Sequence, residues 1–214
     1  MSGTGSPRAR MTGQERREQL LLIGRALFAE RGFEATSIEE IAQRAKVSKP
    51  VIYEHFGGKE GLYAVVVDRE MQRLMDRVTE ALVASHPRAM LEQAAVALLA
   101  YIEDEQEGFR ILVRDSPVAS TSGNFASLLS DIASKVEYIV AEEFARLGFD
   151  PKMAPLYSHA LVGMVALVGQ WWLDTEHPSK DKVAAHLVNL AWNGLRALEP
   201  KPQLGPPEIS EARL

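Results

Sequence analysis

The stretch Thr36-Ser-Ile-Glu-Glu-Ile-Ala-Gln-Arg-Ala-Lys-Val-Ser-Lys-Pro-Val-Ile-Tyr-Glu-His-Phe-Gly-Gly-Lys59 reads as two short helices joined by a tight turn. Ser37 is placed to cap a helix, and Glu40, three positions on, to reach back to the cap's own amide in a capping box. Ile38, Ile41, Ala42 and Ala45 then fall at i, i+3, i+4 and i+7, one face of a 3.6-residue period, leaving Glu39, Glu40, Gln43 and Arg44 in water. Lys46 and Val47 form the turn, Ser48 is the second cap, and Pro50 sits in a first turn whose amides have no helical acceptor anyway. Val47 before that cap and Ile52 after it have the spacing of a hydrophobic staple, which fixes the angle of entry. The second helix divides its faces. Ile52 and Phe56 point back at the first helix, and Lys49, Val51, Tyr53, Glu54 and His55 form an outside surface until Gly57 and Gly58 end it. A short helix presenting a lysine, a tyrosine and a histidine from a rigid corner has the dimensions of a major-groove reader. Lys59 opens the next helix, where its charge and the free amides suit a backbone phosphate.

The formal net charge of −5 runs against a polyanionic partner until the chain is divided: residues 1–59 carry +3 and the remainder −8. A basic end on an acidic body orients a molecule in a phosphate field and keeps the body off the nucleic acid. Arg8, Arg10, Arg16 and Arg17 add cations that either reach phosphates as a flexible arm or form a plain basic tail. Tyr53 and His55 have a second reading as packed side chains, because amphipathic rings often bury their faces. Glu54 fits a solvated position better than base reading, since an acid beside phosphates is repelled unless a cytosine amino group donates to it.

Ala26, Phe28, Gly32, Phe33, Thr36, Ile41, Ala42, Ala45, Val47, Ser48, Tyr53, His55, Phe56, Lys59 and Leu62 together resemble the N-terminal pattern of the TetR family of bacterial transcriptional regulators. The resemblance covers about the first third of the chain and fixes many residue types at fixed spacing. It implies that Thr36, Ser48, Lys49, Tyr53, His55 and Lys59 contact phosphates or bases of a double-stranded DNA operator, with Lys46, Val51 and Glu54 on the same surface. Where many members of the family carry glycine in the turn, this chain has Lys46, whose Cβ penalises a left-handed backbone unless a phosphate contact offsets it.

Outward from this corner, residues 1–12 lack periodicity and read as a flexible arm, and 13–58 as the helix-turn-helix unit, its first helix spanning about 13–31 and stopped by Gly32. Residues 59–198 read as a helical second domain and 199–214, with four prolines, as a disordered tail. Helices are predicted over about 58–85, 87–106, 109–114, 123–147, 151–176 and 179–198, with a loop at 117–124 and no convincing strand. The fold class is all-α.

The second domain holds more apolar surface than one small bundle needs, and the family resemblance implies both a ligand cavity and a subunit interface for the excess. Gly163, Ala166, Gly169, Ala191 and Gly194 allow close helix approach while Val183, Leu187, Leu190, Leu195 and Leu198 add bulk, the makings of a four-helix homodimer seam or of packing within one chain. Tyr101, Phe109, Tyr138, Met164, Trp171 and Trp172 are candidate cavity walls, with Arg110, Asn124 and His159 as polar anchors. The segments 101–111 and 161–164 are similar to actinobacterial members that respond to fatty acyl-CoA, which implies an elongated apolar tunnel and a small apolar effector; steroids, antibiotics or dyes suit the same composition.

With 46% hydrophobic and 25% charged residues the chain has the makeup of an ordinary soluble protein of one large or two small domains. The absence of cysteine excludes disulfides and thiol chemistry and fits a reducing cytoplasm. Met1–Pro7 lacks the apolar core of a signal peptide, and the apolar run 160–173 is interrupted by Gln170 and short for a bilayer, so a cytoplasmic protein without membrane contact is expected. Five histidines with no metal-ligand spacing, no nucleophile elbow and no phosphate-cradling glycine loop point away from an enzyme and from a cofactor. The expectation is a homodimeric repressor released from a palindromic operator by its effector. The alternative is a DNA-binding protein whose second domain serves only dimerisation or recruitment.

Overall fold

The computed structural model describes residues 11–83, 86–114 and 125–203, and among these it is helical throughout, with no strand. The helices are α1 (Gly13–Ala35), α2 (Ile38–Ala45), α3 (Lys49–Phe56), α4 (Lys59–Ala81), α5 (Pro87–Asp104), α6 (Gln106–Val113), α7 (Phe125–Leu147), α8 (Ala154–Thr175, preceded by a 3-10 turn at Pro151–Met153) and α9 (Lys180–Arg196). Predicted and observed ends agree within a few residues. Arg8 and Arg10, most of the predicted arm and loop, and the tail beyond residue 203 lie outside the described residues.

Local chemistry sets these boundaries. Thr12 and Glu15 form a reciprocal capping box at the start of α1, with the Thr-x-x-Glu spacing of that motif. The box predicted at Ser37 is only half made: its hydroxyl accepts from the Glu40 amide at 3.2 Å, but the Glu40 carboxylate turns to Arg31 at 2.7 Å. Ser48 occupies the N-cap position of α3 without a side-chain cap bond, so Pro50 and tertiary contacts fix that start. Gly32, at φ 82°, breaks the helical path of α1 ahead of its last residues. Lys46 adopts a left-handed backbone at φ 55°, the conformation anticipated for a glycine, and its amide and that of Val47 close α2 on the carbonyls of Gln43 and Ala42 at 3.2 and 3.0 Å.

Phe28, Phe33 and Tyr63 form an aromatic trio, with Tyr63 edge-on to Phe28 at 5.0 Å and 4.9 Å from Phe33, that fastens α1 to the start of α4. At the α3–α4 junction the backbones nearly touch: a Cβ on Gly61 would stand 1.9 Å from the Phe56 carbonyl oxygen. Beyond this corner α4 runs on to pack against α5, α6 and α7, while α5 packs on α8 and α9, and α7 on α8. The helical run Pro151–Thr175 is, by length and composition alone, sufficient to cross a bilayer, yet only 28% of its most apolar window is buried. Of the rest, Val162, Met164, Val165 and Val168 are half-buried against the core, and Leu156, Leu167 and Trp171 are exposed.

Candidate nucleic-acid interface and interior cavity

The turn and the outer side of α3 form a continuous exposed surface of Lys46, Ser48, Lys49, Tyr53 and Glu54, with Tyr53 54% exposed and His55 and Val51 half-buried. The corner is braced from behind by Arg17, which donates to the His55 carbonyl at 3.0 Å and lies 4.5 Å over the Phe56 ring. Gln19 donates to the Ala45 carbonyl at 3.4 Å. These two residues of α1 hold the C-terminal ends of both short helices, a role that spacing alone could not reveal. Arg17 thus acts as a structural clamp within α1, not as part of a loose tail.

Three expected DNA contacts change on inspection. Thr36 is 1% exposed, and its hydroxyl donates to the carbonyls of Gly32 at 2.7 Å and Leu27 at 3.3 Å, so it is spent on closing α1. The Lys59 ammonium donates to the Phe33 carbonyl at 3.0 Å and sits 4.1 Å over the Phe33 ring, which leaves the start of α4, not this charge, for a phosphate. Val51 packs against the core. The exposed cations are also paired: Lys49 with Glu39, Arg31 with Glu40 at 2.7 Å and Arg44 with Glu30 at 3.5 Å. The hydrogen bond from Lys49 holds the Glu39 carboxyl below its usual pKa, and the same bond raises that of Lys49. Glu39 therefore competes with phosphate for Lys49. Glu39→Gln is expected to tighten DNA binding on the order of threefold at low ionic strength, less as salt is raised; an unchanged isotherm would show that Lys49 does not reach the duplex.

Behind the corner lies a buried ionic cluster. Arg25 of α1 meets Glu70 of α4 at 3.1 Å and also pairs with Glu105, while Tyr101 of α5 donates to Glu70 at 2.9 Å and Arg73 approaches it at 2.6 Å. Burial, reinforced by the Glu70 carboxylate, pushes the Tyr101 hydroxyl far above its usual range, so it stays a donor. Burial disfavours the Arg25 charge, and Glu70 and Glu105 more than restore it. A Cβ on Gly108 would stand 1.9 Å from the Glu70 carboxylate, so α6 completes the enclosure.

Further along α4, a cavity of about 330 Å³ opens between α4, α5, α7, α8 and α9. Its walls are mainly aliphatic, with Leu74, Val78 and Leu82 of α4, Leu91 and Leu98 of α5, Val136 and Ile139 of α7 and Val162 and Val165 of α8, joined by the aromatic rings of Phe144, Phe149 and Trp192 and by the polar His86, Glu143, Arg146 and Arg196. None of the aromatic or polar residues predicted for it that are described lines it. Tyr101 and Phe109 are core residues of the ionic cluster and its aromatic neighbours. Arg110 pairs with Asp174 at 3.2 Å, Trp172 donates to the Pro178 carbonyl at 2.8 Å, and His159 faces solvent with Nδ1 2.8 Å from the Pro155 carbonyl. Tyr138 and Trp171 are exposed, Met164 packs against the core, and Asn124 lies outside the described residues. The polar tips of Tyr101, Arg110 and Trp172 are drawn to partners outside the cavity, whose lining is left mainly to aliphatic side chains.

The residues proposed for a subunit seam also divide. Ala166, Gly169, Val183, Leu187 and Ala191 are buried within the chain, Gly169 against Ile102 and Leu98, and Leu195 joins the cavity wall with Ala166. Leu198 is half-buried. Gly163 and Gly194 face open space, and Leu190 is exposed. With them stand the exposed Leu156, Leu167 and Trp171, outside the residues expected at a seam, so an apolar stripe runs down α8 beside α9.

A helix-turn-helix corner with an exposed reading helix, carried on an all-helical body, defines a DNA-binding transcriptional regulator. The chain belongs to the TetR family of bacterial regulatory proteins: the family's N-terminal model matches residues 20–66, and the tetracyclin repressor-like C-terminal domain model matches residues 77–206. It is similar to the HTH-type transcriptional activator FasR of Mycolicibacterium smegmatis, at 32% identity over 189 residues, 87% of this chain and 85% of that protein. Among solved structures it is similar to a TetR-like transcriptional regulator from Rhodococcus sp. RHA1, with a TM-score of 0.74 and 26% identity over 88% of this chain and all of that one. In fold it is also similar to the fatty acid degradation regulator FadR from Bacillus halodurans, with a TM-score of 0.69 and 15% identity, covering 91% of this chain and 99% of that one. These are families of regulators, not enzymes.

Proposed function

We propose that the protein is a homodimeric regulator that holds a palindromic operator through residues 46–55 and releases it when a small apolar effector enters the cavity. The observation that carries this reading is that one helix does both jobs: α4 starts against the end of the reading helix and supplies Leu74, Val78 and Leu82 to the cavity wall. An effector with different affinity for two positions of α4 changes DNA affinity by that difference and no more. The apolar stripe of α8 and α9 suits a two-fold seam, which sets the two reading helices about 34–36 Å apart, one turn of DNA. The domain division at residues 58 and 59 is part of this proposal, as is a long-chain acyl-CoA as the first effector to try.

Fluorescence anisotropy with DNA from upstream of the protein's own coding region, in excess nonspecific competitor, tests it. Specific binding at a stoichiometry of one dimer per site, weakened by acyl-CoA, supports the whole reading; binding indifferent to every apolar compound tried leaves only the recruitment alternative. Tyr53→Ala is expected to lower operator affinity about tenfold with the dimer intact by sedimentation. Equal affinity in that variant removes Tyr53 from the interface. The effect on transcription has two readings. Repression follows where the operator overlaps the promoter. Activation is favoured by the name of the relative FasR, and transcription in vitro on the same DNA separates the two.

A further inference from the structure

The DNA-binding head, α1 to α3 with the first turns of α4, is joined to the body by more than the continuous backbone of α4. Helix α6 lies against both α1 and α4. Its start is held at Arg25 of α1, which pairs with Glu105 at the α5–α6 junction and reaches Glu107 at 3.6 Å. Its far end is held by Arg114, the residue that follows α6, whose guanidinium donates to the Ala29 carbonyl at 2.8 Å and to the Phe28 carbonyl at 3.4 Å.

These carbonyls accept such a donor for a local reason. Gly32, at φ 82°, breaks the helical path of α1, and Phe28 and Ala29 are among the last four residues before the break, where helical carbonyls run short of amide donors. The neighbouring carbonyls are covered from within the head: Thr36 donates to those of Leu27 and Gly32, and Lys59 to that of Phe33. Arg114 comes instead from the body. A Cβ on Gly32 would stand 3.7 Å from its Nη1, so the guanidinium is seated at the break itself. Its charge lies at the negative end of the helix dipole, which strengthens both hydrogen bonds.

Two attachments at opposite ends of the eight-residue α6, about 12 Å of helix, fix a direction where one alone leaves a pivot. Helix α1 passes that direction on, because Arg17 and Gln19 near its start brace the ends of α3 and α2. We propose that Arg114 is a positioning residue for DNA binding, which caps the broken end of α1 from the body and so sets the angle at which the head presents α3. The proposal needs only the DNA-binding surface of α3 and is independent of the cavity, its effector and the subunit seam. With the cap removed, the head swings about the Arg25 end of α6, and DNA affinity falls in proportion to the fraction of chains at the fitting angle.

The chain has no cysteine, so Gln43→Cys on α2 and Gln93→Cys on α5, both exposed, place two spin labels, and dilution with unlabelled protein confines the distance between them to one chain. Dipolar spectroscopy is expected to give one narrow distance in the parent and a broad or doubled distribution in Arg114→Gln. Saturating duplex, selected by the parent protein from a random pool, should narrow it again. Affinity for that duplex should fall about tenfold in Arg114→Gln with the thermal midpoint little changed, and Arg114→Lys, which keeps the charge at the helix end, should recover part of both effects. An affinity loss with an unchanged distance distribution overturns the proposal, since Arg114 then acts by some route other than the angle of the head. A broadened distribution with unchanged affinity overturns it equally, because the angle then does not govern binding. Should the Gln variant fail to fold, the Lys variant decides on the same two readings.

Discussion

Gly61→Ala is expected to cost about 3 kcal/mol or more and to abolish specific DNA binding, the largest local effect at the reading corner. The added methyl carbon would stand 1.9 Å from the Phe56 carbonyl oxygen, and this neighbour is backbone at the end of α3, not a side chain that can swing away. Relief requires α3 to move off α4. That motion breaks the packing of Ile52 and Phe56 and carries Phe56 away from the Arg17 guanidinium. Thermal unfolding followed by circular dichroism should show a midpoint lower by roughly 6–12 °C for a chain of this size. A midpoint within a degree of the parent, with operator affinity retained, would mean that the junction yields easily and that α4 does not position the reading helix.

The second large effect is expected at Glu70. Its side chain is 2% exposed and receives Arg25, Arg73 and the Tyr101 hydroxyl, so Glu70→Ala takes from the half-buried Arg25 guanidinium one of its carboxylates, leaving Glu105 and Glu107, and removes the carboxylate acceptor of a buried phenol. Breaking a buried pair from one side costs about 3–5 kcal/mol where the partner charge is left without compensation, and the remaining carboxylates on Arg25 set the expectation at the low end, about 3 kcal/mol. Tyr101→Phe removes a single hydrogen bond and should cost only about 1 kcal/mol. Glu70→Gln keeps the shape and an acceptor for Tyr101 and is expected to fall between. Denaturant titrations of the three variants rank them; a ranking with Tyr101→Phe worst would place the energy in the phenol and not in the ion pair. The cluster ties α1 to α4, α5 and α6, so the Gln variant should also weaken any effect of cavity occupancy on DNA affinity.

The corner was legible because its information is local. Ser37, the i, i+3, i+4 spacing of Ile38 to Ala45, Pro50 and the glycines at 57 and 58 each act within a turn or two of the backbone, and the observed α2 and α3 follow them. Even the penalty at Lys46 was readable, since a left-handed residue after α2 is a property of the turn. The inside of the body was not. Arg25 and Glu70 are 45 positions apart and no periodicity joins them. Tyr101 and Trp172 were expected in the cavity for their size, but each has a polar tip that a nearby carboxylate or carbonyl captures. Val136, Ile139 and Val162 look like any core stripe in sequence, and only the packing of five helices shows that they face a space. Thr36 and Lys59 have partners that spacing could not show, for a related reason: carbonyls at the end of α1 compete with DNA for the same donors.

The reading helix has eight residues, far fewer than a helix needs to persist alone in water. Its order is borrowed from Arg17 behind it and from α4 beneath it, so the entropy of arranging it is spent when the chain folds and not when it meets DNA. Because the supporting contacts are made by Ile52, Phe56 and backbone carbonyls, the outward positions 49, 53 and 54 carry almost none of the burden of holding the corner together. Those three can be exchanged for a different operator without refounding the structure beneath them, which makes this corner a suitable one to re-target.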